Sequence, residues 1–192
     1  MAQVDGHHRV PARRGACGLA SYPRRAGVSA TTTKSIARTA GLSEGTLYLH
    51  YASKNDLAWE LFSKNYVELA VNLDRCQQQH QTLKDKLAAI IHQFCSFYDA
   101  NPALFSYLLL DHHGNIRKMT PDMPSPVRVL KSAIAGGMAA GEIPQADADV
   151  KTAMVLGLII QVAVFKIYGI ITQSLSSLAP TLVDNSWKIL GG

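Results

Sequence analysis

At 192 residues, 47% of them hydrophobic, the chain can bury a substantial core as one large domain or as a small domain joined to a larger one. Its net charge of +5 is unevenly placed: residues 1–57 hold eight Lys/Arg against three acids, whereas the remainder carries eleven of each sign. A basic end on a neutral body suits contact with a polyanion, and three cysteines without metal-ligand spacing (Cys17, Cys76 and Cys95) argue against a disulfide scaffold and for a reducing cytosol.

Residues 1–27 do not read as structure. Pro11 and Pro23 break helices, Gly6, Gly15, Gly18 and Gly27 weaken them, and no apolar run of the kind a secretory signal needs is present. From Thr31 the pattern is helical to the end, which predicts an all-α fold. A first helix is expected over 32–40, capped by Thr32 and stopped at Gly41, where glycine accepts the left-handed conformation of a sharp helix end. Ser43 caps a short second helix, 44–51. Ser53 opens a third, with a capping-box-like spacing to Asp56; Leu57, Leu61, Tyr66, Leu69 and Leu73 form its apolar face, and it ends near Cys76.

Further helices are expected over 83–98, 102–112, 127–140, 148–168 and 175–190, with a loop at 113–126 and a turn at 141–144. The stretch 153–171 is nearly all apolar and long enough to span a bilayer, but Gln161 and Lys166 interrupt it, so a buried interface helix is the preferred reading and no membrane partner is expected.

Three helix starts, at Thr32, Ser43 and Ser53, fall close together in the segment 31–57. Helix N-termini present free N–H groups and partial positive charge, so they grip phosphates. Lys34 and Lys54 add charge, Gly45 permits close approach to a duplex, Thr46 can meet a base edge or thymine methyl, and Tyr48 and His50 can reach phosphate oxygens. Glu44 either accepts from cytosine N4 or points sideways. The segment's own charge is only +1, so helix starts rather than net charge carry the argument.

The pattern Thr-Thr-x-x-x-Ile-Ala-x-x-Ala-Gly-Leu-Ser-x-Gly-Thr-Leu-Tyr-x-His-Tyr-x-Ser-Lys-x-x-Leu resembles the signature of the TetR (tetracycline repressor) family of transcriptional regulators. The resemblance implies a three-helix, helix-turn-helix DNA-binding head (1–54) and a larger helical ligand-binding and dimerisation body (55–192). It places Thr32, Thr33, Lys34, Glu44, Gly45, Thr46, Tyr48, His50 and Lys54 at DNA-facing positions. It implies a cytoplasmic homodimer, a double-stranded palindromic DNA operator and a small-molecule effector, with repression the expected mode.

The sequence departs from the family where a supporting amphipathic helix should precede the motif. Two readings stay open. A one-base shift within a permitted coding of residues 17–27 yields Ala-Ala-Leu-Arg-Leu-Ile-Arg-Glu-Glu-Leu, a helical sequence. Otherwise the segment is a divergent or disordered basic arm, which could itself reach the minor groove. The damaged first helix also opens a second function, a helical small-molecule binder with an impaired DNA-binding head.

In the body, Phe94, Phe97, Tyr98, Phe105 and Tyr107, with Leu108–Leu110, cluster on two successive helices and are expected to line a pocket for a lipophilic effector or, more simply, to be core. Met154, Leu158, Val162 and Phe165, with Leu178 and Leu182, are expected to face a second copy in a four-helix bundle. His112 and His113 are adjacent on a helix and diverge too far to share an ion, so no metal is expected. No nucleophile–base set, phosphate loop or paired-carboxylate motif stands out, so neither an enzyme nor a cofactor is expected.

Overall fold

The computed structural model of the chain describes residues 51–110, 115 and 117–191. Through these run the helices α1 (Lys54–Gln77), α2 (Leu83–Ala100), α3 (Pro102–Leu110), α4 (Pro126–Ala139), α5 (Ala148–Ile167) and α6 (Leu175–Leu190). The described residues contain no strand, and the fold is all-α. The chain divides into two compact units, Met1–Leu61 and Phe62–Gly192. The helices expected at 32–40 and 44–51 lie outside the described residues, Tyr51 excepted, as does the segment 1–27.

Each helix start has a chemical reason. At α1, Ser53 Oγ accepts from Asp56 N–H at 3.2 Å and donates to Asp56 Oδ2 at 2.8 Å, as the spacing predicted. Thr82 and Asp85 repeat this arrangement at α2, with 3.2 and 2.7 Å. Asp147 takes the N–H groups of Asp149 and Val150 at the start of α5, and Ser174 takes that of Ser177 at α6. Pro102 and Pro126 stand in the first turns of α3 and α4, where the missing N–H costs no helical bond.

In the second unit α2 packs against α3, α4 and α6, and α5 packs against the same three. Residues 62–77 of α1 make no comparably close backbone approach to a neighbour. Leu83, Leu87, Ile91, Leu130, Ile134, Val155, Leu175 and Leu190 are nearly or fully buried between these helices. Burial of side chains of this size contributes roughly 1.5–3 kcal/mol apiece. On α5, Val155, Ile159, Ala163 and Ile167 turn inward, whereas Val150, Met154 and Phe165 face outward at 50, 52 and 40% exposure. Among the described residues α5 is the helix long and apolar enough to cross a membrane, and its burial is one-sided.

Candidate functional site

Below α1 lies a cavity of about 420 Å³ to which α1 to α5 all contribute. Tyr66, Leu69 and Leu73 come from α1, Ile90, Ile91 and Phe94 from α2, and Phe105, Leu108 and Leu109 from α3. Pro126, Val127 and Leu130 of α4 and four aliphatic residues of α5 complete it. Among these described lining residues Tyr66 is the one polar side chain. The described lining offers no charged group, so it suits an apolar occupant.

Of the five expected aromatic pocket residues two, Phe94 and Phe105, line the cavity, as do Leu108 and Leu109 of the same expected cluster. The other three aromatic residues do not, for packing reasons. Phe97 and Tyr98 set their rings against Phe105 at 5.8 and 5.2 Å and hold it from behind, while Phe94 meets it edge-on at 4.7 Å. Tyr107 is buried, and its phenol oxygen accepts from Asn115 Nδ2 at 3.3 Å. Sequence reasoning missed most of the aliphatic lining, because Leu, Ile and Val on an inner helix face look the same whether they meet a core or a void.

Tyr66 is firmly placed. Phe62, one turn earlier on α1, stacks on its ring at 5.1 Å with planes 20° apart. The Tyr66 hydroxyl is 3.3 Å from Ser125 Oγ, just before α4. On the far side of the α1–α4 seam is an open polar groove of about 540 Å³, whose lining includes Asp74, Arg75, Asp122, Ser125 and Arg128. The Thr120 hydroxyl, and to a lesser degree Arg128, hold the Asp122 carboxyl below its usual range.

Of the expected interface residues, Met154 and Phe165 are exposed and Leu158, Val162 and Leu178 are half-buried against the core. Leu182 is a correction: at 5% exposure it is packed inside its own protomer, on the inner face of α6, and offers no surface to a second copy. The expected DNA-facing residues Thr32, Thr33, Lys34, Glu44, Gly45, Thr46, Tyr48 and His50 lie outside the described residues. Lys54 is the first residue of α1. Beside the motif, Tyr51 has its phenol pushed up by burial and by the Glu60 carboxylate.

Residues 24–61 match the family model described as bacterial regulatory proteins, tetR family. The Bacillus subtilis (strain 168) fatty acid metabolism regulator protein is 27% identical over 130 residues, which is 65% of this chain and 66% of that relative's length. Among solved structures, the Bacillus subtilis transcriptional regulator FadR in complex with stearoyl-CoA superposes with a TM-score of 0.81 at 19% identity, covering 91% of this chain and 96% of that one. A TetR family transcription regulator from Marinobacter aquaeolei VT8 gives 0.76 at 20% identity, covering 93 and 94%. Residues 24–61 thus match the N-terminal domain of tetR-family regulators, and the chain shares the all-helical fold of the solved structures of that family.

Proposed function

We propose that the protein is a cytoplasmic, homodimeric DNA-binding repressor, not an enzyme, whose body takes a long acyl chain and whose effector is an acyl-CoA thioester. The apolar cavity carries this reading. At about 420 Å³, with a lining almost wholly of carbon, the cavity is in the size range of small-molecule sites and suits an alkyl chain. The similarity to a fatty acid metabolism regulator, and to a fold neighbour solved with stearoyl-CoA, supports the same ligand class.

Thr32, Thr33, Lys34, Gly45, Thr46, Tyr48, His50 and Lys54 then hold DNA, with Glu44 beside them, and two-fold symmetry makes the operator palindromic. The helix that lines the cavity with Tyr66, Leu69 and Leu73 starts at Lys54, within the family-matched segment. A chain that fits the cavity in only one setting of α1 shifts the population toward that setting and changes DNA affinity.

Gel shift on the DNA upstream of the gene tests this. The expected result is salt-sensitive binding to a palindrome, reversed by tetradecanoyl-CoA and not by acetyl-CoA. No salt-sensitive binding to any palindrome there would sink the DNA-binding claim. Binding indifferent to every acyl-CoA would remove the effector. One observation favours a second reading, a ligand binder with an impaired head: the family match starts at residue 24, leaving 1–23 outside it. DNA binding that appears only after a helix-forming N-terminus is supplied would select that reading.

A further inference from the structure

The cavity explains where an acyl chain goes but not where its head goes, since among the described lining residues none is charged and only Tyr66 is polar. The way out is marked by the cavity's polar residue. Tyr66 lines the cavity, Ser125 lines the outer groove, and the hydrogen bond between them spans the two spaces. Neighbouring residues alternate across the same wall. Leu69, Leu73 and Leu130 face the cavity, and Ala70, Asp74 and Val129 face the groove. The two spaces share this wall, and among the described residues, 62–77 of α1 are less closely packed on their neighbours than α2 and α5 are.

Resting on the acyl reading above, we infer that the seam between α1 and α4 at Tyr66–Ser125 is the mouth of the cavity, and that the groove beyond it seats a phosphorylated head through Arg75 and Arg128. The groove is not a field of net positive charge, because Asp74 and Asp122 stand with the arginines. What differs is availability. Asp74 already accepts from Gln77 and Gln78 at 3.0 and 2.7 Å. Asp122 is engaged by Thr120. Arg128 gives one N–H to the Pro121 carbonyl and keeps the rest of its fork of donors. The Arg75 guanidinium makes no hydrogen bond or ion pair to a described residue. Two planar forks within one groove, beside the opening of an apolar chamber, match the bidentate recognition of phosphate oxygens. The Tyr66 hydroxyl, released from Ser125 when the mouth opens, is left at the junction to donate to a thioester or carboxyl oxygen.

The test compares tetradecanoic acid with its coenzyme A thioester, by calorimetry, on the full chain and on Arg75→Ala/Arg128→Ala. Both arginines are exposed, so the double variant should fold, which circular dichroism checks. The wild-type protein should bind the thioester more tightly than the acid. The double variant should lose at least tenfold toward the thioester and less than twofold toward the acid, while Arg75→Lys/Arg128→Lys retains part of the preference. Added salt should erode the wild-type preference for the thioester. If both ligands bind and the double variant treats them as the wild-type protein does, the head lies elsewhere and this inference alone fails. If neither ligand binds the wild-type protein, the acyl reading fails and takes this inference with it.

Discussion

Asp99 shows how one side chain can tie two distant parts of the chain. It stands at the end of α2, and its carboxylate accepts from the N–H groups of Leu175 and Ser176, 3.0 and 2.8 Å away, at the start of α6. Ser174 takes the Ser177 N–H, so the first turn of α6 is satisfied partly by its own cap and partly from another helix. Burial alone would raise the Asp99 pKa, but the hydrogen bonds from Ser176 and Leu175, with Lys166 nearby, outweigh it and hold the group below its usual value. A depressed folded-state pKa contributes stability that is complete above the unfolded value of about 3.9 and lost as pH falls through the folded one. Asp99→Ala should therefore cost about 1–2 kcal/mol at neutral pH, in line with other helix caps. In urea titrations the gap between wild-type and variant should be constant from pH 8 to 5 and close below about pH 4. A gap that stays open in acid would mean the side chain acts through packing.

Helices were legible in the sequence to the extent that their periodicity and caps were strong. On α2 the helical period puts Leu83, Leu87, Ile90, Ile91, Phe94, Phe97 and Tyr98 on one broad apolar face, and all but Phe97 are buried. Cys95 takes the inner place instead, with no exposure and its thiol pushed up to about 12 by burial and by Asp99. A small residue beside three aromatic ones gave no sign of that. On α6 the buried face includes Ala179, Val183 and Ser186, and small residues such as these carry little signal of burial in a sequence. The closest helix contact was equally hidden. Gly137 of α4 is buried against the first turn of α2, and a Cβ placed there would stand 2.9 Å from Leu83 Cβ, closer than side chains tolerate. In an open helix, glycine to alanine stabilises by about 1 kcal/mol. Here the sign should reverse, with Gly137→Ala destabilising by about 1–3 kcal/mol through overpacking. Gly136 has open space around its Cβ position and serves as the control. Thermal unfolding should show Gly136→Ala at or above the wild-type midpoint and Gly137→Ala below it; the same shift in both would refute the close approach.

At the scale of the whole molecule, the decisive surface is the outer stripe of α5. Val150, Met154, Gly157, Gln161 and Phe165 recur at spacings of three and four and are all exposed, so they form one continuous face. Glycine at 157 leaves room for a second helix to come close, and Met154 and Phe165 supply apolar area around it. The proposed dimer places this face against its own copy. In a two-fold interface each residue is used twice. Losing the burial of one large apolar side chain on both protomers then costs roughly 3–6 kcal/mol, or on the order of a hundredfold or more in the dimer dissociation constant. Met154→Lys and Phe165→Lys should therefore bring the mass measured by light scattering from two chains down to one at micromolar concentration. Circular dichroism should stay unchanged, because neither side chain belongs to the protomer's buried core. Operator affinity should fall with the dimer, since a monomer reads one half-site, whereas the cavity lies inside a protomer and tetradecanoyl-CoA binding should survive. A variant that remains dimeric would move the interface to another face, and a wild-type chain of monomeric mass would end the two-fold reading of the operator.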